Sequence, residues 1–301
     1  MKTIKIQIIV LLFLFSLAVK GQETITINGA KFITPLIEKW ATEYSKENPN
    51  VKIEFLSKSD NSKQADINVL TYKLLAGQTD KNQIVYVNKY ALLPITGESN
   101  TYIKSIKKRG LNKDEIKDLF FGSDELEKSK EKDKHVTIYS GVAPSSSSQV
   151  FANYFGYQPS EIIGKRILGD DIYLLSAIKK DSTGVTFNNL SNIYDIKTRK
   201  VKDGITILPL NIDKGAFSAI ASTIDEALAI LEKNKFETIP TENVGFFVDK
   251  KSKDPEIIKF LSWVISEGQK YNHEFGFLNI EKESQAYQIE NLNEKLLAIK
   301  Y

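Results

Sequence analysis

The sequence Ile138-Tyr-Ser-Gly-Val-Ala-Pro-Ser-Ser-Ser-Ser-Gln-Val-Phe-Ala-Asn-Tyr-Phe155 predicts a strand, a loop of small residues and a helix in direct succession. The apolar positions from Val150 to Phe155 have the spacing of a helix face that packs on a sheet. Four serines stand where this helix begins. A helix N-terminus presents unpaired N–H groups and a partial positive charge, so it is a favourable place for an anion. The alternative is that the serines only cap the helix.

The chain begins with a second unit of the same kind. Residues 24–27 alternate as a strand, and residues 28–32 form a loop that contains glycine and leads into a helix. Thr34 is predicted to be the N-cap of this helix and Pro35 its first residue. Residues 51–56 alternate again as a strand. This βαβ order predicts a parallel sheet covered by helices.

Further strands and helices follow from the same periodicities. The remaining predicted strands are 65–70, 84–94, 136–138, 184–187, 205–208 and 244–248. The remaining predicted helices are 112–121, 172–179, 222–233, 254–267 and 281–301. Of these, 84–94 and 244–248 are candidates for strands that cross between two lobes. The charge run at 125–134 is expected to be a solvated surface segment.

The composition is that of a globular protein, and the start of the sequence predicts export. The chain has 301 residues, of which 42% are hydrophobic, enough for two cores. Residues 1–22 are predicted to be a signal peptide, because Lys2 and Lys5 precede an apolar run at 8–17 that is too short to span a membrane. These two lysines and Lys20 account for the formal net charge of +3, so the mature chain is expected to be neutral. A neutral chain argues against a nucleic-acid partner.

The residues needed for several kinds of catalysis are missing. The sequence has no cysteine, which excludes disulfides, thiol catalysis and a lipid anchor on cysteine. Its two histidines, His135 and His273, are expected at the surface, not as metal ligands or bases. Asp181-Ser-Thr-Gly184 is interpreted as a turn, and no Walker loop or nucleophile elbow occurs. The sequence therefore predicts a protein that is not an enzyme and that uses no cofactor or metal.

Several segments together resemble the phosphate-binding proteins of ABC importers. They are Ile27–Trp40, Leu119–Gly122, Thr183–Leu190 and 252–278, and they follow the family's order along nearly the whole mature chain. The resemblance implies the α/β, two-lobe fold of type II periplasmic binding proteins. Each lobe would be a mostly parallel sheet flanked by helices, with two crossover strands as the hinge. Residues 23–92 and 244–301 would form lobe 1, and residues 93–243 lobe 2.

The resemblance also implies the ligand contacts, which would come from one loop in each lobe and a turn near Asp66. The implied ligand-binding residues are Ala30, Lys31, Phe32, Asp66, Ser145, Ser146, Ser147 and Ser148. The family usually has Arg-Ser-Asp-Gly-Ser-Gly-Thr before the second helix, where this chain has Gly141-Val-Ala-Pro-Ser-Ser-Ser147. The family's arginine and aspartate are therefore missing, and Lys31 could supply part of the positive charge.

These features predict a monomeric solute-binding protein, periplasmic or secreted, that captures a small oxyanion. Phosphate is the leading candidate for this ligand. Its partner would be an ABC transporter permease or another envelope protein. The alternative is a module with the same fold that has lost its small ligand and contacts an envelope protein. A serine hydrolase that uses the serine run is the weakest alternative, because the sequence offers no histidine partner for it.

Overall fold

One nine-stranded sheet organises the protein. The structure, a computed structural model, describes residues 22–56, 64–72, 82–103, 109–122, 136–142 and 146–300. The strands are β1 (Glu23–Asn28), β2 (Val51–Phe55), β3 (Ile67–Leu70), β4 (Asn82–Gly97), β5 (Thr137–Gly141), β6 (Lys165–Ile167), β7 (Gly184–Asn189), β8 (Ile205–Ile207) and β9 (Thr241–Asp249). The α-helices within this described part are α1 (Thr34–Glu47), α2 (Lys113–Phe121), α3 (Ser146–Phe155), α4 (Ile172–Lys180), α5 (Leu190–Ile193), α6 (Lys214–Ser222), α7 (Ile224–Lys233), α8 (Pro255–Ser266) and α9 (Lys282–Lys300).

The strand order is β2-β1-β3-β9-β4-β7-β5-β6, with β8 paired to β4. We call β1, β2, β3 and β9, with their helices α1, α8 and α9, lobe 1, and the strands β5 to β8 with α2 to α7 lobe 2. Strands β1, β2 and β3 are parallel, as are β5, β6 and β7. The two-lobe α/β fold with mostly parallel sheets, predicted from the sequence, is confirmed.

Strand β4 joins the two lobes. Its first part, from Asn82 to Ala91, pairs antiparallel with β9, and its next part, from Leu92 to Thr96, pairs antiparallel with β7. The hydrogen-bonding partner of β4 therefore changes between Ala91 and Leu92. Strand β9 brings the chain back from lobe 2 and lies between β3 and β4. The two predicted crossover strands are thus neighbours in one sheet.

The first βαβ unit forms as predicted, with one difference at its helix. Trp40 of α1 is buried against Phe246 of β9, and Tyr44 is buried against Phe260 and Trp263 of α8. Thr34 is not the N-cap, because a 3₁₀ turn at Lys31–Ile33 runs directly into α1 and Ile33 takes the capping position. Thr34 already has helical dihedral angles of −50° and −45°, whereas a capping side chain normally belongs to an extended residue. Its hydroxyl is buried and has no hydrogen-bond partner among the described residues.

Other helix starts agree with the sequence. The Asn112 side chain accepts a hydrogen bond from the N–H of Glu115, and the Glu115 carboxylate accepts one from the N–H of Asn112. This reciprocal pair is a capping box, which satisfies two N–H groups at the start of α2. Asp254 caps α8 in a similar way, with Pro255 as the first helical residue.

The segment predicted as one helix at 222–233 belongs to two helices. Helix α6 ends at Ser222, and α7 begins at Ile224. Thr223 between them is extended, with φ of −126° and ψ of 157°, and its hydroxyl accepts a hydrogen bond from the N–H of Glu226. Helix α6 was not predicted from the sequence; only Ala216 and Ile220 of it are buried, so its apolar stripe is too short to give a clear helical period.

An aromatic cluster fills the core of lobe 2. The rings of Phe151 on α3 and Phe187 on β7 are stacked, with centroids 3.9 Å apart and an angle of 4° between the ring planes. Phe120 on α2 meets Phe151 edge-on at 4.7 Å. All three side chains are fully buried. Stacked and edge-on pairs add stabilisation beyond the area that they bury, so this cluster anchors α3 on the sheet.

The turn predicted at Asp181–Gly184 is confirmed. The Asp181 carboxylate accepts hydrogen bonds from the N–H and hydroxyl of Thr183 and from the hydroxyl of Tyr139. These donors, the Thr183 hydroxyl foremost, favour the ionised form and lower the pKa of Asp181 from 3.8 to about 2. The Asp181 carboxylate in the turn between α4 and β7 is therefore ionised at neutral pH.

Removing this carboxylate is expected to weaken the protein more at neutral pH than in acid. Because the folded pKa is lower than the unfolded one, the stabilisation is complete above pH 3.8 and is lost as the pH falls toward 2. Asp181 is partly exposed, so we expect Asp181→Asn to cost on the order of 1 kcal/mol of unfolding free energy at neutral pH. Urea unfolding of both proteins at neutral pH and at about pH 3 measures the difference. An equal loss at both pH values would contradict the prediction.

Some predictions concern residues outside this description. The signal peptide at 1–22 lies almost entirely there, as do the charge run at 125–134 and His135. Among the helices that are described, none has the length and apolar character needed to cross a membrane.

Candidate functional site

The segments that follow β1 and β3 meet residues of lobe 2 at the start of α3 and before α4. Since β1 and β3 are parallel, both end at the same edge of lobe 1. In open α/β sheets, ligands bind in the crevice outside the carboxyl ends of the strands. The candidate site is built from the loop Ala30–Phe32, from Thr71 after β3 and from the first turn of α3.

The first turn of α3 supplies backbone N–H groups and hydroxyls. Ser147 and Ser148 are each only 1% exposed. The Ser148 hydroxyl accepts a hydrogen bond from the Gly141 N–H at 3.1 Å and donates to the Gly141 carbonyl at 3.4 Å. Ser148 therefore holds the end of β5 against the helix. Ser145 lies outside the described residues.

Ser146 makes the contact that spans the two lobes. Its hydroxyl lies 2.6 Å from the hydroxyl of Thr71. The carbonyl of Thr71 in turn accepts a hydrogen bond from the Tyr90 hydroxyl at 2.6 Å. Tyr90 belongs to the crossover strand β4 and is 1% exposed. A chain of hydrogen bonds thus connects the hinge strand, the loop after β3 and the start of α3.

Thr71 was not among the residues predicted from the sequence. It is 3% exposed, and its position directly after β3 at the carboxyl edge was the signal that could have identified it. The sequence instead indicated Asp66, which precedes β3. The Asp66 carboxylate accepts hydrogen bonds from the Thr26 N–H at 2.8 Å and from the Thr26 hydroxyl at 2.6 Å. The structure does not bring Asp66 to the serines, because it lies at the opposite end of β3 from Thr71.

The loop after β1 approaches β3 closely and presents a cation. A Cβ on Gly29 would lie 2.3 Å from the Cβ of Val69, so the position requires glycine. The ammonium group of Lys31 lies 3.0 Å from the carboxylate of Asp170, which precedes α4 in lobe 2. This contact raises the pKa of Lys31, chiefly through the hydrogen bond to Asp170. Lys31 is therefore a cation at the edge of the cleft, paired across it.

Phe32 packs beside the crossover strand β4. Its ring packs on Tyr90 at 5.1 Å and on Phe277 at 5.7 Å between centroids. Ala30 precedes it, and the Ala30 carbonyl accepts the Ile33 N–H at 3.4 Å. These two residues shape the loop that carries Lys31.

A carboxylate of the protein already lies at the start of α3. Asp171 accepts a long hydrogen bond of 3.4 Å from the Ser147 N–H, and its carbonyl accepts one from the Asn188 side chain at 2.7 Å. Burial raises the pKa of Tyr90 well above its ordinary value, and the negative charges of Glu242 and Asp171 add to this effect. Tyr90 therefore stays a neutral donor.

The chemistry of this arrangement is that of binding. Hydroxyls of Thr71 and Ser146, N–H groups of the first turn of α3 and the Lys31 ammonium are hydrogen-bond donors suited to an anion. His273 is bound elsewhere, since its ring lies 2.7 Å from the Glu232 carboxylate. Within the described part of the chain, no group of three or more metal-ligating side chains comes together.

Several solved structures that share this fold are described as phosphate transport proteins. One from Clostridium perfringens, described as a phosphate ABC transporter substrate-binding protein with bound phosphate, has a TM-score of 0.62 and 14% identity, and the match covers 86% of this chain and 100% of that one. An ABC-type phosphate transport receptor from Vibrio cholerae has a TM-score of 0.59 and 11% identity over 85% of this chain and 100% of that one. The fold is that of a type II periplasmic binding protein.

The same fold also occurs in a protein with another name. A full-length BenM variant aligns with a TM-score of 0.52 and 11% identity over 93% of this chain and 77% of that one. No protein-family model matches the sequence, and no curated protein does either. The likeness between structures shows the fold alone, so the function has to be argued from the residues of the site.

Proposed function

We propose that the chain is an exported solute-binding protein that holds a small oxyanion, phosphate first, between its two lobes for an ABC importer. The observation that carries the proposal is the meeting of Thr71 of lobe 1 with Ser146 at the start of α3 in lobe 2. A ligand placed there would accept hydrogen bonds from both lobes and so favour their closure. The proposed role is binding and delivery, not catalysis.

The proposed ligand contacts come from both lobes. Thr71 and Ser146 would each donate a hydroxyl, and Ser147 a backbone N–H. Lys31 would supply positive charge in place of the arginine that the resembled family has. A hydrogen bond to a charged group is worth about 1.5–3 kcal/mol, or roughly one to two decades in affinity. Ser145 remains a proposed contact on the strength of the sequence alone.

Asp171 provides a reason to place phosphate before sulfate. A carboxylate beside the binding point repels a fully ionised oxyanion, whereas it can accept a hydrogen bond from a protonated phosphate oxygen. The loop before α3 lacks the acidic residue of the resembled family. Asp171, which directly precedes α4, would serve in its place. We therefore expect phosphate to bind more tightly than sulfate.

The proposal extends to location, partner and lobe boundaries. The basic and apolar start of the sequence supports export to the periplasm or secretion, and the fold neighbours support an ABC transporter as partner. The change of β4 partners between Ala91 and Leu92 supports the proposed lobe boundary at residue 92. The return to lobe 1 at residue 244 is proposed from the sequence, and β9 begins at Thr241. We propose a monomer.

A thermal-shift scan tests the proposed ligand. A ligand at 100 times its Kd adds about 2.7 kcal/mol to the stability of the folded state. At about 2–4 °C per kcal/mol, we expect phosphate to raise the Tm by roughly 5–10 °C, and sulfate, molybdate and a small carboxylate to raise it less.

The double variant Thr71→Val, Ser146→Ala is expected to lose the phosphate response, because both lobes lose their hydroxyl. Ser160→Ala is the matched control, since Ser160 is an exposed serine of lobe 2. If the double variant responded to phosphate as the wild type does, the site would be wrong.

One observation favours the alternative function, a module that contacts an envelope protein. The Lys31 ammonium and one α3 N–H already have carboxylate partners, Asp170 and Asp171, within the protein. A module that no longer binds a small anion and contacts an envelope protein would fill its own site in this way. A flat response to every anion in the scan would favour this alternative.

A further inference from the structure

Two contacts join the lobes directly at the candidate site. The Lys31 ammonium meets the Asp170 carboxylate at 3.0 Å, and the Thr71 hydroxyl meets the Ser146 hydroxyl at 2.6 Å. The first pair links residues 139 positions apart in the sequence, and the second links residues 75 positions apart. Each pair has one partner in lobe 1 and the other in lobe 2, so opening the cleft must break both.

The two contacts lie at different depths. The side chains of Lys31 and Asp170 are 64% and 34% exposed, so the ion pair lies at the rim. Thr71 is buried and is tied to the hinge strand through the Tyr90 hydroxyl, so the hydroxyl pair lies at the floor. Both contacts therefore oppose the opening of the same cleft, one at the rim and one at the floor.

The hydroxyl pair also occupies the groups that a ligand would use. In a hydrogen bond between two hydroxyls, one hydroxyl donates its proton to the other oxygen. Only the second hydroxyl then has a proton left to donate to a third atom. An anion that accepts from both Thr71 and Ser146 must first separate them. The hydroxyl pair and a ligand that accepts from both hydroxyls therefore exclude each other.

We propose that the Lys31–Asp170 ion pair is an electrostatic latch that, with the Thr71–Ser146 pair, holds the two lobes closed in the absence of a ligand. The latch concerns the empty protein and does not depend on which molecule the protein binds. The ion pair is exposed and is worth roughly a 1.5- to 5-fold change in the ratio of closed to open molecules. The latch is therefore weak enough to open and reclose readily.

The absence of cysteine makes the lobe separation measurable. Glu38 on α1 and Asn153 on α3 are exposed, one in each lobe. Spin labels on Glu38→Cys and Asn153→Cys report the distance between the lobes by double electron–electron resonance in the phosphate-free protein. We expect a dominant short distance at low salt.

Charge reversal tests the latch. Lys31→Glu places two carboxylates opposite each other and is expected to enrich a population whose label distance is longer by more than about 2 Å, the size of a hinge rearrangement. The exchange Lys31→Glu with Asp170→Lys restores opposite charges and is expected to restore the short distance. Lys46→Glu is the control, because the ion pair of Lys46 with Glu43 lies within α1.

The ionic strength provides a second test, in which the labelled protein keeps both latch residues and Lys31→Met serves as the comparison. Raising the ionic strength from about 0.01 M to about 1 M shortens the Debye length from about 30 Å to about 3 Å. The open population of the labelled protein is expected to grow by the same 1.5- to 5-fold, and that of the Lys31→Met variant is expected to stay constant.

Three results would overturn the latch. One is a dominant long distance in the empty wild-type protein at low salt, and another is failure of the charge exchange to restore the short distance. The third is a salt response that survives Lys31→Met. Since no anion is added, a failure here leaves the proposed phosphate binding standing, and a flat phosphate response leaves the latch standing.

Discussion

Replacing Ser146 by aspartate is expected to abolish phosphate binding and to leave the protein folded. The substitution puts a negative charge at the point where Ser146 meets Thr71. Two unit charges 4 Å apart repel by about 4 kcal/mol at an effective dielectric constant near 20. Phosphate carries up to two charges near neutral pH, so we expect the affinity to fall by at least about 100-fold. Isothermal titration calorimetry measures the change.

The folded state should tolerate this aspartate. An acidic side chain in the first turn of a helix is favoured by the helix dipole, by about 0.3–1 kcal/mol. Asp171 lies close by and offsets part of that gain by repulsion. We therefore expect the Tm without phosphate to change little, which separates a loss of binding from a loss of fold.

Ser160→Asp is the control for charge alone. It adds the same charge to lobe 2, in the exposed turn at Pro159–Glu161. We expect it to bind phosphate as the wild type does. Binding by Ser146→Asp within about threefold of the wild type would mean that the anion, if one binds, does not lie at the start of α3.

Truncating Phe151 to alanine is expected to cause the largest loss of stability. Phe151 is fully buried, stacks on Phe187 and meets Phe120 edge-on. Replacing a buried phenylalanine by alanine typically costs about 3–5 kcal/mol, because the side chain loses its contacts and leaves a cavity. Urea unfolding followed by circular dichroism measures the change in free energy.

Asn153→Ala on the same helix is the control. Asn153 is exposed, and its side chain accepts a hydrogen bond only from Gln149 among the contacts described. We expect a change within about 0.5 kcal/mol. A loss below about 1 kcal/mol for Phe151→Ala would show that the aromatic cluster does not anchor α3.

Local sequence signals predicted the elements that local chemistry controls. The capping residues Asn112 and Asp254 start their helices as expected, because a cap acts within three residues. Thr34 has the same chemistry and was predicted to cap α1. The prediction was wrong because the loop before it already coils as a 3₁₀ turn. That turn carries Lys31 toward Asp170, a contact that no local pattern in the sequence shows.

The site itself was only partly predictable. The serines before α3 were visible as a run of small polar residues at a helix start. Thr71 was not, because a lone threonine after a short strand has no pattern of its own. Its role depends on Ser146 and Tyr90, which lie 75 and 19 positions away along the chain. Asp66 was implied by the resemblance, which places an acidic turn there, whereas its hydrogen bonds in the structure come from Thr26.

The place of β9 in the sheet sets the order in which the protein can be completed during synthesis. Strand β9 begins at Thr241, whereas its neighbours β3 and β4 end at Leu70 and Gly97. At about 5–20 residues per second, the ribosome needs roughly 7–30 s to make the residues between the end of β4 and the start of β9. During that interval the edges of β3 and β4 that later bind β9 are unpaired. Lobe 1 therefore becomes complete only after the whole of lobe 2 has been made.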